Sequence, residues 1–232
     1  MKPKDTKTFG MISSLFAGVF FSVTLWLAFK MPVSIMEVIN SEEFELIFSY
    51  FQRTFMSLKL MILLSNLSMM GVVVTFYLLV RDKRDPTILW GTILAILGLG
   101  VGMLQALMDM YIIPFTVSQL YEGTEVVRAF LLDLGVANPY MYILSAGFPA
   151  IWLFIVSLKH KINCYIPIPL RVVSFAWGCI LLALVIVQAL SIFSLLNIVS
   201  LLGIFIAPIW TIWLGIFFFK RVQHLSQIAH HH

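Results

Sequence analysis

Six apolar runs, each close to the length that crosses a lipid bilayer, dominate this sequence. A transmembrane helix needs about 20 predominantly apolar residues, and the runs lie at about 9–29, 56–80, 87–113, 140–158, 172–190 and 198–219. Only 11% of the residues are charged, against about 25% in soluble domains, so no water-soluble core could cover this apolar surface. The sequence therefore predicts an all-α polytopic membrane protein with six transmembrane helices in three hairpins.

A single membrane domain is expected to cover residues 1–229. The closing His230, His231 and His232 are interpreted as a remnant of a purification tag and are excluded from metal-binding arguments. The first apolar run follows a lysine-rich start, but it is too long for the hydrophobic region of a signal peptide. We expect it to be retained as the first helix.

The first and second outer loops each contain an amphipathic stretch. Their apolar residues, at helical spacing, are Phe44, Ile47, Phe48, Phe51 and Phe55 in the first loop and Val127, Phe130, Leu131 and Leu134 in the second. A helix with such a face beside a span typically lies in the membrane interface. The sequence therefore predicts two short amphipathic helices in the outer loops.

The basic residues predict the orientation of the chain. Eleven of the fifteen Lys and Arg lie in the N-terminal segment, the 81–84 turn, the 159–171 loop and the segment after the sixth run. Because loops rich in Lys and Arg stay in the cytoplasm, both termini are expected to be cytoplasmic, in a bacterial inner (plasma) membrane. The sequence pI near 9.1 is explained by this topology signal and does not indicate a nucleic-acid partner.

Asp109 is the one carboxylate inside an apolar run, and an intramembrane acid is a functional-site hypothesis by default. The second and third runs are antiparallel and joined by a tight charged turn near Lys83. Lys59 and Asp109 lie about equally far from that turn, so at 1.5 Å per residue they reach the same depth near the outer interface. Depth alone does not decide whether they face each other.

Other polar side chains are expected in the same outer half of the membrane: Gln105, Asn66, Gln188 and Tyr111. With Lys59 and Asp109, they predict an outward-facing polar pocket that binds a small molecule or a membrane lipid. The alternative is purely structural, because polar groups in membrane bundles often hydrogen-bond across helices.

Three classes of function remain open. The first is a protein that binds or translocates a small molecule or lipid in the polar pocket. The second is a non-catalytic interaction or assembly subunit, in which Ser14, Gly18 and Ser22 form a small-residue face for a protein partner or a homo-oligomer. The third is a lipid-modifying membrane enzyme. The third class lacks a recognisable catalytic motif, and no residue pattern indicates a cofactor or a metal.

Two short patches carry a resemblance to known proteins. They are Pro169-Leu170-Arg171-x-x-Ser174-x-x-Trp177-Gly178 and Ala207-Pro208-Ile209-Trp210-x-Ile212-Trp213-Leu214. With the long loop after the first span, they resemble a family of uncharacterised bacterial six-helix integral membrane proteins. That resemblance implies the six-helix layout and no activity, so no functional residue is carried over from it.

Overall fold

The computed structural model describes residues 3–30, 44–80, 85–121, 139–159, 166–190 and 192–230. These residues form six helices: α1 Pro3–Lys30, α2 Phe44–Val80, α3 Pro86–Tyr121, α4 Pro139–Leu158, α5 Ile168–Ala189 and α6 Phe193–His230. Five of them, all except α4, are long and apolar enough to cross a membrane, and α4 contains the shorter apolar stretch Ile143–Leu158. The predicted all-α membrane fold is confirmed at this level.

The six helices form a closed ring. Each helix packs against its neighbour in sequence, and α6 packs against α1 to close the circle. Neighbours run antiparallel: on α1 and α2, Gly10 lies against Thr75 while Gly71 lies against Ser13. The arrangement is therefore a continuous ring of antiparallel neighbours.

Because neighbours alternate in direction, the ring has two ends. The end at which α1, α3 and α5 begin, near Asp85, Lys159 and Arg171, is called the basic end. The opposite end is called the far end. Two helices at the basic end have residues typical of helix starts: Asp85 accepts a hydrogen bond from the Thr87 N–H at the start of α3, and Pro167 precedes α5. Both are typical of helix N-termini.

Glycines on α3 allow close packing with both neighbouring helices. A Cβ added to Gly98 would lie 2.7 Å from Cδ of Pro149 on α4, and one added to Gly102 would lie 2.8 Å from Nδ2 of Asn66 on α2. Real Cβ atoms essentially never lie closer than 3.0 Å to a neighbouring heavy atom. These glycines therefore bring neighbouring membrane helices close together.

Aromatic side chains fill the ring toward the basic end. Trp210 is fully buried and lies 5.4 Å from Trp177 and 6.3 Å from Trp152, ring centre to ring centre. Its indole N–H donates a 2.6 Å hydrogen bond to the Ser174 hydroxyl, which satisfies the polar edge of a buried tryptophan. Phe76 and Phe218 extend this aromatic cluster.

The structure corrects two boundaries. The amphipathic stretch beginning at Phe44 is not a separate interfacial helix, because α2 continues without a break for 37 residues, and Phe51 and Phe55 are buried. The third apolar run was expected to end at 113, but α3 continues through Pro114 to Tyr121; neighbouring helices make an internal proline tolerable in a membrane helix. The second predicted amphipathic helix falls within 122–138, outside the described residues.

Candidate functional site

Lys59 and Asp109 form an ion pair between α2 and α3. The Lys59 Nζ atom donates to Oδ2 of Asp109 at 2.6 Å, and each side chain is 12% exposed. Nζ also lies 5.2 Å from the centre of the Phe55 ring, close enough for a cation–π contact. The equal depth predicted from the sequence is thus accompanied by direct contact, and the ion pair carries no net charge.

A cavity of about 260 Å³ lies inside the ring, and all six helices contribute to its wall. Most of the lining is apolar, including Met69, Leu99 and Leu181. The polar lining side chains are Thr24, Asn66, Ser145 and Ser200. The cavity is therefore suited to a molecule that is mainly apolar, unlike the polar pocket that the sequence predicted.

Three of the polar lining residues, Asn66, Ser145 and Ser200, lie toward the far end of the cavity. Thr24 lies nearer the aromatic end, about level with Trp177. Asn66 and Ser145 both approach Gly102, so they lie at one level. Trp152 lies seven residues after Ser145 on α4, which is two helical turns nearer the basic end, and it joins Trp177 in the aromatic cluster. The wall thus changes from aromatic at one end to hydroxyl and amide groups at the other.

Pro208 adds a polar backbone group to the wall. A proline within a helix has no N–H for the carbonyl four residues earlier, and that carbonyl belongs to Ile204, which lines the cavity. The nearby Thr211 hydroxyl donates to the carbonyls of Ala207 and Pro208 and not to that of Ile204. The Ile204 carbonyl therefore lacks its usual helical donor.

Two buried amides that lie outside the cavity lining, about one helical turn beyond its polar end, lack hydrogen-bond partners. Gln105 is 7% exposed and its Nε2 is unpartnered, and Gln188 is 6% exposed and its Oε1 is unpartnered. Gln188 follows the lining residue Leu184 by one helical turn, and Gln105 follows Gly102 by about one turn. Each amide is thus one turn from the polar end of the cavity wall.

Five of the six predicted site residues are distributed over three places. Asn66 lines the cavity. Lys59 and Asp109 pair two helical turns farther toward the far end, seven residues from Asn66 and Gly102 respectively. Gln105 and Gln188 are buried between these levels. Tyr111 does not belong to the group, because it is 80% exposed; two residues after Asp109, it lies on the outer side of α3.

Sequence reasoning missed the aromatic and hydroxyl part of the cavity wall. The signal was present on α3, where Ala95, Leu99, Gly102, Ala106 and Asp109 alternate three and four residues apart and so share one helix face. All five are buried. That spacing connects the charged pair to the apolar wall, whereas a search for polar residues alone overlooks it.

The small-residue face of α1 is used within the chain. Ser14 is fully buried, and a Cβ on Gly18 would meet Ile212 and Thr211 of α6. Ser22, which donates to the Gly18 carbonyl, is exposed. A partner protein or second copy would therefore have to use a face other than Ser14 and Gly18.

A ring of six helices, five of them able by length and composition to cross a bilayer, defines a helical membrane protein with an internal cavity. Comparison with known protein families, curated proteins and solved structures finds no significant match. The resemblance noted in α5 and α6 gains no support from that comparison. Among the residues that the structure describes, no three His, Cys, Asp or Glu side chains are placed to hold a metal ion.

Proposed function

We propose that this protein binds a small, largely apolar molecule or lipid fragment in the central cavity, as a membrane carrier or binding protein. The observation that carries the proposal is the cavity itself, which all six helices line. Ligand sites in proteins are typically apolar concavities of about 300–1,000 Å³ with a few polar groups. At about 260 Å³, this cavity lies just below that range and is apolar with a few polar groups, so it suits a small ligand.

The free-energy cost of an empty cavity supports occupancy. Cavities created in protein cores cost about 24 cal/mol per Å³. A fully enclosed and empty space of about 260 Å³ would destabilise the fold by up to roughly 6 kcal/mol on that scale; this cavity is partly open, so its cost is smaller. An apolar molecule that fills the space recovers part of this free energy, and apolar cavities of about 150 Å³ are known to bind molecules the size of benzene.

Bromooctane is a suitable probe, because bromine quenches tryptophan fluorescence on contact. Three tryptophans are exposed on the outside of the ring, namely Trp26, Trp90 and Trp213. Replacing these three with phenylalanine leaves Trp152, Trp177 and Trp210, which are buried at the aromatic end of the cavity. In lipid nanodiscs, we expect this reporter variant to show saturable quenching as bromooctane is added.

Two neighbouring substitutions test whether the quenching comes from the cavity. Gly203 lines the cavity, and a Cβ there meets only Ile180, at 3.6 Å, so Gly203→Phe can fill the space. Leu202 is exposed on the same helix, and Leu202→Phe adds the same ring outside the cavity. Saturable quenching should be lost in the first variant and kept in the second. Linear, unsaturable quenching in both variants and in the parent would refute the proposal.

We further propose that all six helices, including α4, cross a bacterial inner membrane with both termini in the cytoplasm. Two considerations support this. The 20 residues of α4 give a length of about 30 Å, the thickness of the hydrocarbon core. Eleven of the fifteen Lys and Arg lie at the basic end or in the connections there, and the positive-inside rule assigns that end to the cytoplasm.

A further inference from the structure

We propose that the ligand is an uncharged amphiphile whose hydroxyl-type head is held by Gln105 and Gln188 at the far end of the cavity. This inference rests on the proposed function and specifies the chemistry of its ligand. It follows from three features of the described residues: the polarity gradient of the wall, the two unpartnered amides, and the neutrality of the Lys59–Asp109 pair.

The polarity of the cavity wall determines how the ligand is oriented. Trp152, Trp177 and Thr24 form the end of the cavity nearer the basic end, whereas Asn66, Ser145 and Ser200 line the opposite part. An apolar chain or ring gains most by lying against the aromatic end. Any polar group on the same molecule is then directed to the far end, toward Gln105 and Gln188.

The two amides require complementary hydrogen bonds. A buried polar atom without a partner costs about 1–3 kcal/mol, and both Gln105 Nε2 and Gln188 Oε1 are in that condition. The first is a donor that needs an acceptor, and the second is an acceptor that needs a donor. A hydroxyl group both donates and accepts, so a head with one or two hydroxyls satisfies both requirements. A purely hydrocarbon ligand satisfies neither.

Charge balance favours an uncharged head. Among the described residues on the cavity-facing sides of α2 and α3, the charged groups toward the far end are Lys59 and Asp109, which already pair at 2.6 Å. A carboxylate head would be a third charge beside a neutral pair in a poorly solvated place, and an unpaired buried charge is strongly unfavourable. A hydroxyl head adds no charge.

The third unpartnered group near the cavity does not change this orientation. Trp177 Nε1 also lacks a partner, but Trp177 packs between the rings of Phe21 and Trp210. It is a donor alone, and it lies at the aromatic end. Trp177 Nε1 can donate to a hydroxyl oxygen but cannot accept the hydroxyl hydrogen, whereas Gln188 Oε1 can accept it.

Competition against bromooctane in the reporter variant tests the inference, with octanol, octane and octanoate as competitors of equal chain length. We expect octanol to displace bromooctane at a membrane concentration about fivefold to tenfold lower than octane, the range that about one net hydrogen bond supplies. Octanoate should compete no better than octanol. In the double variant Gln105→Leu and Gln188→Leu, octanol and octane should become equal, while Gln52→Leu, outside the cavity wall, should retain the difference.

Each result has a definite meaning. If octane and octanol displace bromooctane equally well from the parent reporter variant, the cavity binds apolar molecules without recognising a head group. The inference is then wrong and the proposed function stands. If octanoate is the strongest competitor, the Lys59–Asp109 pair opens to bind an anion, which also overturns the inference. If bromooctane quenching is not saturable, the proposed function fails first. If Gln105→Leu and Gln188→Leu preserve the octanol preference, the amides do not hold the head.

Discussion

At the scale of single residues, the Lys59–Asp109 pair connects the charge pattern of the sequence to the interior of the molecule. Equal distance from the turn near Lys83 predicted equal depth, and the structure adds contact, at 2.6 Å between Nζ and Oδ2. Sequence spacing determines depth through the fixed rise of the helix, but the angle at which two helices face each other depends on packing. Gly98 and Gly102 allow α4 and α2 to pack closely against α3, and this packing sets the angle.

Breaking the pair should be more harmful than removing it. Asp109→Asn leaves a charged lysine whose side chain is 12% exposed, and losing one partner of a buried pair costs about 3–5 kcal/mol. The double variant Lys59→Met with Asp109→Leu leaves no charge and should recover most of that loss. Chemical unfolding in detergent, followed by tryptophan fluorescence, measures both variants.

The control for this comparison is Arg53→Met, which removes an exposed cation from the same helix and should change the unfolding free energy little. A double variant no more stable than Asp109→Asn would contradict the expectation. It would mean that the pair contributes more than the cancellation of its own charges.

At the scale of helices, the sequence predicted the existence and position of each helix better than its length. The apolar runs placed all six helices, because about 20 apolar residues in a row have few alternatives. The runs did not predict that α2 begins at Phe44, twelve residues before its apolar run. Phe51 and Phe55 have the spacing of an interfacial helix, but they are buried within the bundle, and the sequence contains no residue that forces a break between them and Met56.

The basic-end contact between α3 and α4 predicts an acid-sensitive part of the stability. Lys159 Nζ lies 3.3 Å from Asp85 Oδ2 and 3.2 Å from the Thr87 hydroxyl. Burial raises the pKa of the Asp85 carboxyl, but the hydrogen bond from the Thr87 N–H and the contacts with Lys159 outweigh it, so this pKa lies below its ordinary value. A lowered carboxyl pKa stabilises the fold above the ordinary value, and that contribution disappears as pH falls through the lowered value.

Asp85→Asn separates the charge from the helix cap, because asparagine caps a helix about as well as aspartate. We expect the variant to be less stable than the parent near neutral pH and equal to it at a pH below the lowered pKa of Asp85. Thermal unfolding in detergent across that range provides the measurement. Asp5→Asn, at an exposed position near the same end, should keep the acid dependence of the parent. A constant stability difference at all pH values would contradict the assignment.

At the scale of the whole molecule, the ring determines what the cavity can be. The apolar runs predicted six helices, but they contained no information on whether the helices form a ring or a cluster with one at the centre. Bulky side chains decide this, since Trp152, Trp177 and Trp210 meet inside the ring and leave no space for a central helix. The candidate site was predicted only in part for the same reason: its wall combines residues from all six helices.

Labelling of single cysteines tests the proposed six-span topology, in a background from which Cys164 and Cys179 have been removed. Met141→Cys and Lys159→Cys flank the main part of α4, and Ile192→Cys marks the far end between α5 and α6. With a maleimide that cannot cross membranes, applied to intact cells, positions 141 and 192 should react and position 159 should not. Reaction at 141 and 159 alike would mean that α4 does not cross.

The closure of α6 on α1 also has a consequence for how the chain assembles. Every other interface in the ring joins helices consecutive in sequence, so those contacts can form as each helix is synthesised. The α1–α6 interface joins residues almost 200 positions apart, such as Gly18 and Ile212, and such a contact is slow to form because the intervening chain must first be ordered. Until α6 arrives, Ser14 and Gly18 face lipid, and the cavity is open along its full height to the surrounding acyl chains. A lipid-like occupant could therefore enter during biosynthesis, before the last helix completes the wall.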